Sequence, residues 1–203
     1  MRQIPLPLGT GAGPSRIVVG SANSQAIEAF GQVQDWPFRT AVLFGPPHSG
    51  KSLLGRWFAD SGLGDMIDDA ETMDEADLFH RWNRAQEQGR ALLVVANAGE
   101  GGWQIKLPDL ASRLGSALHL EIGEPDDAMM AELIAIHAEM RGLALGPDAA
   151  AYLVPRAERS HLGVERLVAA IDRLSMERKQ APTLAIWRDA LDETLGASQP
   201  RLL

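Results

Sequence analysis

Two kinds of apolar run alternate along the first 123 residues. Short continuous stretches at 40–44, 65–67, 91–96 and 117–121 predict strands. Between them, apolar residues recurring three or four positions apart predict helices at 24–30, 50–61, 73–88 and 107–114. Strands that alternate with helices build a parallel sheet covered on both faces, so this part reads as α/β. From about residue 124 the strand pattern stops. Segments 126–141, 146–157, 163–179 and 183–195 all carry helical spacing, with Met129, Met130, Leu133, Ile134 and Met140 as their core. Pro125, Pro147 and Pro182 stand at helix starts, where a missing N–H is tolerated. Residues 1–16 are dense in proline and glycine and predict a flexible leader. The expected organisation is a leader (1–16), an α/β subdomain (17–123) and a small all-helical subdomain (124–203).

Composition narrows the class. The chain has 203 residues, 45% of them hydrophobic, enough for a sizeable core. It carries a net charge of −8 with no basic stretch, so direct sequence-specific nucleic-acid binding is not expected. No apolar run reaches membrane-spanning length and no signal-peptide pattern opens the chain, which points away from membranes. With no cysteine, disulfides and thiolate metal sites are excluded, in keeping with a cytoplasmic location.

The chemistry concentrates at residues 45–52. Gly45, Pro46, Pro47, His48, Ser49, Gly50, Lys51 and Ser52 match the phosphate-binding pattern G-x-x-x-x-G-K-[ST] in full. An apolar strand leads in, and a helix that begins with Leu53 and Leu54 leads out. In that setting the glycines let backbone N–H groups point at phosphate oxygens, and the helix N-terminus adds partial positive charge. Lys51 is expected at the β- and γ-phosphates, and Ser52 on Mg²⁺. A second acidic element, Met66-Ile67-Asp68-Asp69, ends a predicted strand, with Asp68 placed on Mg²⁺ and Asp69 as the catalytic acid. Only residues 52–67 separate Lys51 from Asp68, room for one helix and one strand, so the sheet is expected to lack a strand. Asn97 ends the run Leu92-Leu93-Val94-Val95-Ala96, at the tip of the next strand.

An α/β nucleotide core followed by a helical lid resembles the AAA+ ATPases, and there Asn97 corresponds to sensor 1. The likeness sharpens at Leu107-Pro108-Asp109-Leu110-Ala111-Ser112-Arg113-Leu114. This segment resembles the Ser-Arg element of DnaA-type initiators, in which the arginine reaches a neighbouring subunit's ATP. Residues 17–26 resemble the DnaA segment beside the adenine, which implies that Val18 and Val19 contact the base. Glu124-Pro125-Asp126-Asp127 opens the lid as in that family. The resemblance spans roughly residues 17–195.

Two departures from DnaA point further. The chain ends soon after the lid, where an initiator carries a helix-turn-helix domain, and only a leader precedes the core. That leader, Gln3-Ile4-Pro5-Leu6-Pro7-Leu8, is similar to the peptide with which the Hda family binds the β sliding clamp. Resemblance to Hda implies a bacterial regulator of replication initiation that promotes hydrolysis of DnaA-bound ATP, with Arg113 as the arginine finger in trans. It implies clamp docking through Gln3, Ile4, Leu6, Pro7 and Leu8, and a bound adenine nucleotide, ADP or ATP, with Mg²⁺. A lid arginine, sensor 2, is also implied. Glu165 stands at its usual position and Arg166 one residue on, an offset that favours a regulatory nucleotide, ADP, over fast turnover. Two alternatives stay open: a self-standing AAA+ ATPase of helicase-loader type, and a non-hydrolysing nucleotide-binding module. Homo-oligomerisation is left open as well.

Overall fold

Four parallel strands form the sheet beneath the phosphate-loop sequence. In the computed structural model they are β3 (Thr40–Phe44), β4 (Asp65–Ile67), β5 (Leu92–Val95) and β6 (Leu118–Glu121), in the spatial order β4-β5-β3-β6. The structure describes the backbone of residues 2–5, 16–97 and 102–198, and the side chains of 16–97 and 102–196. Val42 pairs with Val94 and His119, and Ile67 with Val94, so the strand ends that follow Phe44, Ile67 and Val95 emerge at one edge of the sheet. In an open parallel sheet that edge is where ligands bind. Only helix α2 (Lys51–Asp60) intervenes between β3 and β4, and the described sheet has four strands.

Both faces of this sheet are covered, as uninterrupted apolar strands require. On one face α1 (Ser24–Phe30) and α2 pack through Phe30, Phe58 and Trp36, whose rings lie 5.1–6.1 Å apart. On the other, α3 (Glu75–Glu87) and α4 (Pro108–Gly115) bury Leu78, Trp82, Leu110 and Leu114 against Val42, Leu92 and Val94. These elements make up one compact unit, Ala22–Gly123.

The second unit comprises the described residues of Met1–Ser21 and Glu124–Leu203. It holds α5 (Asp127–Met140), α6 (Pro147–Leu153), α7 (His161–Arg178) and α8 (Leu184–Ser198), joined by a core that includes Ile134, Leu153, Leu167, Ile171 and Ile186. Strands β1 (Arg2–Pro5) and β2 (Arg16–Val19) belong to it as an antiparallel pair. Residues 17–21, read from sequence with the α/β part, lie here because β2 packs on α5 and Ser21 Oγ donates to Asp126 at 2.8 Å. β1 falls within the segment expected to be a flexible leader. Its four residues precede the run of glycines, and Pro5, which offers no N–H to a ladder, is its last residue. No described helix is long and apolar enough to cross a membrane.

Helix starts follow local chemistry. Asp74, Asp126 and Ser160 each cap a helix by accepting backbone N–H bonds. Of the three prolines read as helix starts, Pro147 opens α6, whereas Pro125 and Pro182 precede the helices that follow them. Ser160 also moves the start of α7 two residues ahead of the expected Gly163, whose N–H it accepts at 2.8 Å.

Candidate nucleotide site

Phe44 hands the chain from β3 into the loop Gly45–Gly50. A Cβ on Gly45 would sit 2.9 Å from that of Ile122 and 3.0 Å from Ser49 Oγ, so only glycine lets the loop leave the sheet this tightly. His48 (φ 62°) and Gly50 (φ 84°) are both left-handed, which curls the backbone before α2 begins at Lys51. The first amides of α2, from Lys51, Ser52 and Leu53, have no partners within the helix, as at anion-binding helix ends. Pro46, Pro47 and His48 are exposed, and Ser49 is buried.

Lys51 is only 6% exposed. Its ammonium donates to the carbonyls of Gly45 at 2.9 Å and Pro46 at 2.7 Å, and lies 3.5 Å from Ser49 Oγ. Burial pushes this ammonium below its ordinary pKa, and the carboxylates of Glu71, Asp68 and Asp69 pull the other way. The buried cation is thus aimed over the loop, and phosphate oxygens offer it stronger, charge-assisted partners than two carbonyls do.

Beside it, Ser52 Oγ donates to Asp68 Oδ1 at 2.9 Å. A hydroxyl and a carboxylate in contact are the protein ligands Mg²⁺ takes when water and substrate phosphates complete its shell, so Ser52 and Asp68 fit the expected cation. Asp69, whose carboxylate acts on Lys51, is more open to solvent than Asp68. It is exposed, left-handed (φ 47°), and starts a short 3₁₀ turn over Ala70–Thr72. That turn brings Glu71 back toward the sheet, where Glu71 Oε1 accepts from Asn97 Nδ2 at 2.6 Å. The other oxygen, Glu71 Oε2, is buried and has no hydrogen-bond partner among the described residues. Glu71 was not singled out from sequence. The signal available was its spacing, one turn beyond a strand-ending Asp-Asp pair.

Arg113 lies in the last turn of α4, half-buried. Its guanidinium carbon stands 4.3 Å from the Trp82 ring centroid and 5.3 Å from that of Phe79. It makes no ion pair or side-chain hydrogen bond with the described residues. Trp82 is buried in the core and also presents a ring face to this arginine.

The remaining candidates belong to the helical unit. Val18 is buried and Val19 half-buried in β2. Arg166 is exposed on α7, next to the half-buried Glu165. Gln3 and Ile4 lie in β1, opposite Val18 and Ile17. Leu6, Pro7 and Leu8 lie outside the described residues.

No family model matches the chain. An uncharacterized protein of Haemophilus influenzae is 25% identical over 119 residues, covering 58% of this chain and 52% of the relative. The chain thus spans about half the length of the curated relative it matches. Among solved structures, domain III of the Thermotoga maritima replication initiation protein DnaA superposes with a TM-score of 0.72 at 14% identity, over 93% of this chain and 98% of that one. AMPPCP-bound DnaA from Aquifex aeolicus gives 0.60 at 14% identity, over 80% and 67%. The Thermotoga maritima Holliday junction branch migration motor RuvB gives 0.55 at 16% identity, over 76% and 61%. The parallel sheet with flanking helices and a helical C-terminal part matches the fold of DnaA domain III.

Proposed function

We propose that this chain is a nucleotide-binding AAA+ regulator of DnaA, acting as Hda proteins do. An adenine nucleotide is held by Gly45, Pro46, Pro47, His48, Ser49, Gly50, Lys51, Ser52 and Leu53. Mg²⁺ is held by Ser52 and Asp68 and neutralises the phosphate charge. Residues 3–8 dock on the β sliding clamp, and Arg113 acts on ATP bound to DnaA. The observation that carries this reading is Arg113. It is a cation on the Ser-Arg helix, without an anionic partner among the described residues, on a fold that matches DnaA domain III over 93% of the chain. A guanidinium fork placed on a transferring phosphoryl group is worth about 10³–10⁵ in rate. The test is hydrolysis of DnaA-bound ATP with and without DNA-loaded clamp. Stimulation that needs the clamp is expected, and none in either condition contradicts the reading.

A second reading has its own support. Ser52–Asp68 and Asn97–Glu71 place two carboxylates and a polar strand tip around Lys51, the parts a site needs to turn over its own ATP. Robust turnover without clamp or DnaA favours that self-standing ATPase.

A further inference from the structure

Arg113 is one member of an aromatic cluster. Trp82 meets the guanidinium with its face at 4.3 Å, and Phe38 packs edge-on against the same indole at 6.4 Å between ring centroids. Phe38 reaches that position from a strained backbone. Phe38 (φ 51°) and the following Arg39 (φ 47°) are both left-handed, a conformation bulky side chains rarely adopt. Three bonds hold this strained pair: Gln86 Nε2 donates to the Phe38 carbonyl at 2.8 Å, Arg39 to the Gly89 carbonyl at 2.5 Å, and Thr40 Oγ1 to the Phe38 carbonyl at 3.0 Å. Trp82 Nε1 is buried with no hydrogen-bond partner among the described residues, an uncommon state for a buried indole.

The contact has a chemical consequence. A cation over a ring is held by the aromatic face and needs no hydrogen-bond acceptor, while the guanidinium donors lie in its own plane. The platform therefore holds the charge without spending its donors.

We propose that Trp82, braced by Phe38, is a positioning residue. It holds the Arg113 guanidinium over its ring so that the N–H fork meets a phosphate presented by another subunit. This rests on the reading of Arg113 as a finger acting in trans. The contact fixes where the fork points rather than whether the partner binds, so its loss lowers the maximal rate and leaves the half-saturating partner concentration unchanged.

The experiment measures hydrolysis of DnaA-bound ATP on loaded clamp for wild type, Arg113→Ala, Trp82→Leu and Trp82→Phe, as a function of protein concentration. Thermal midpoint and fluorescent-ADP affinity are measured on each. Trp82→Leu is expected to lower the maximal rate roughly tenfold with half-saturation and ADP affinity unchanged, and Trp82→Phe to restore most of it. A measurement that leaves the fold alone replaces every tryptophan by ring-fluorinated tryptophan, which keeps the shape and weakens the negative ring face. Stimulation is expected to fall with fluorine content, whereas a flat series overturns the proposal. If Trp82→Leu matches wild type while Arg113→Ala is inactive, the proposal falls and the finger reading stands. If Trp82→Leu loses ADP affinity together with stimulation, and fluorination has no effect, Trp82 is a packing residue only. A wild-type protein that stimulates nothing overturns both.

Discussion

Lys51 concentrates the chemistry of the site at a single side chain. It is a buried ammonium on two loop carbonyls, next to the Ser52–Asp68 pair. A nucleotide gives it charged partners, so Lys51→Ala is expected to weaken fluorescent-ADP binding by about tenfold to a hundredfold, the worth of one charge-assisted bond. Titration at constant Mg²⁺ checks this, and unchanged affinity would remove Lys51 from the site. The loop was legible in the sequence because its pattern is nearly sufficient: glycines at two fixed places, then Lys-Ser on a helix. The acid was less legible. Asp68 and Asp69 are adjacent in sequence, but the left-handed backbone at Asp69 starts the turn that returns Glu71 to Asn97. No spacing rule encodes that reversal. It depends on one residue's φ.

At the scale of elements, helix caps fix where the helices of the helical unit begin. Asp126 caps α5 through the Met129 N–H at 2.7 Å and also accepts from Ser21 on the segment after β2. Asp126→Ala is expected to cost about 1 kcal/mol of stability. The Met129 N–H, then the Ser21 hydroxyl, hold this carboxyl below its usual pKa. The contribution is therefore present above the unfolded carboxylate value and lost as pH falls through the folded one. Urea midpoints of wild type and variant should differ near pH 7 and converge in acid, and a gap that persists in acid contradicts the cap. Strands and helices with continuous or periodic apolar runs were legible, as in β3, β5 and α3. β1 was not, because four residues beside a Pro/Gly run carry too short a pattern, and pairing with β2 supplies what local sequence does not.

For the whole molecule, the proposed function calls for two partners bound through different parts of one acidic chain with net charge −8. Docking is assigned to Gln3–Leu8, and replacing Gln3, Leu6 and Leu8 together by alanine is expected to abolish clamp binding in surface-plasmon measurements while ADP affinity stays intact. Retained clamp binding removes the docking assignment. The proposed action on DnaA falls to Arg113, which the Ser-Arg segment singles out, whereas the aromatic rings beside it come together only when α3 and α4 pack on one face of the sheet. The decisive experiment is single-turnover hydrolysis of DnaA-bound ATP on loaded clamp, with wild type beside Arg113→Ala. Clamp-dependent acceleration by wild type that drops at least about a hundredfold in the variant is expected. Equal acceleration by both proteins would contradict a finger acting in trans.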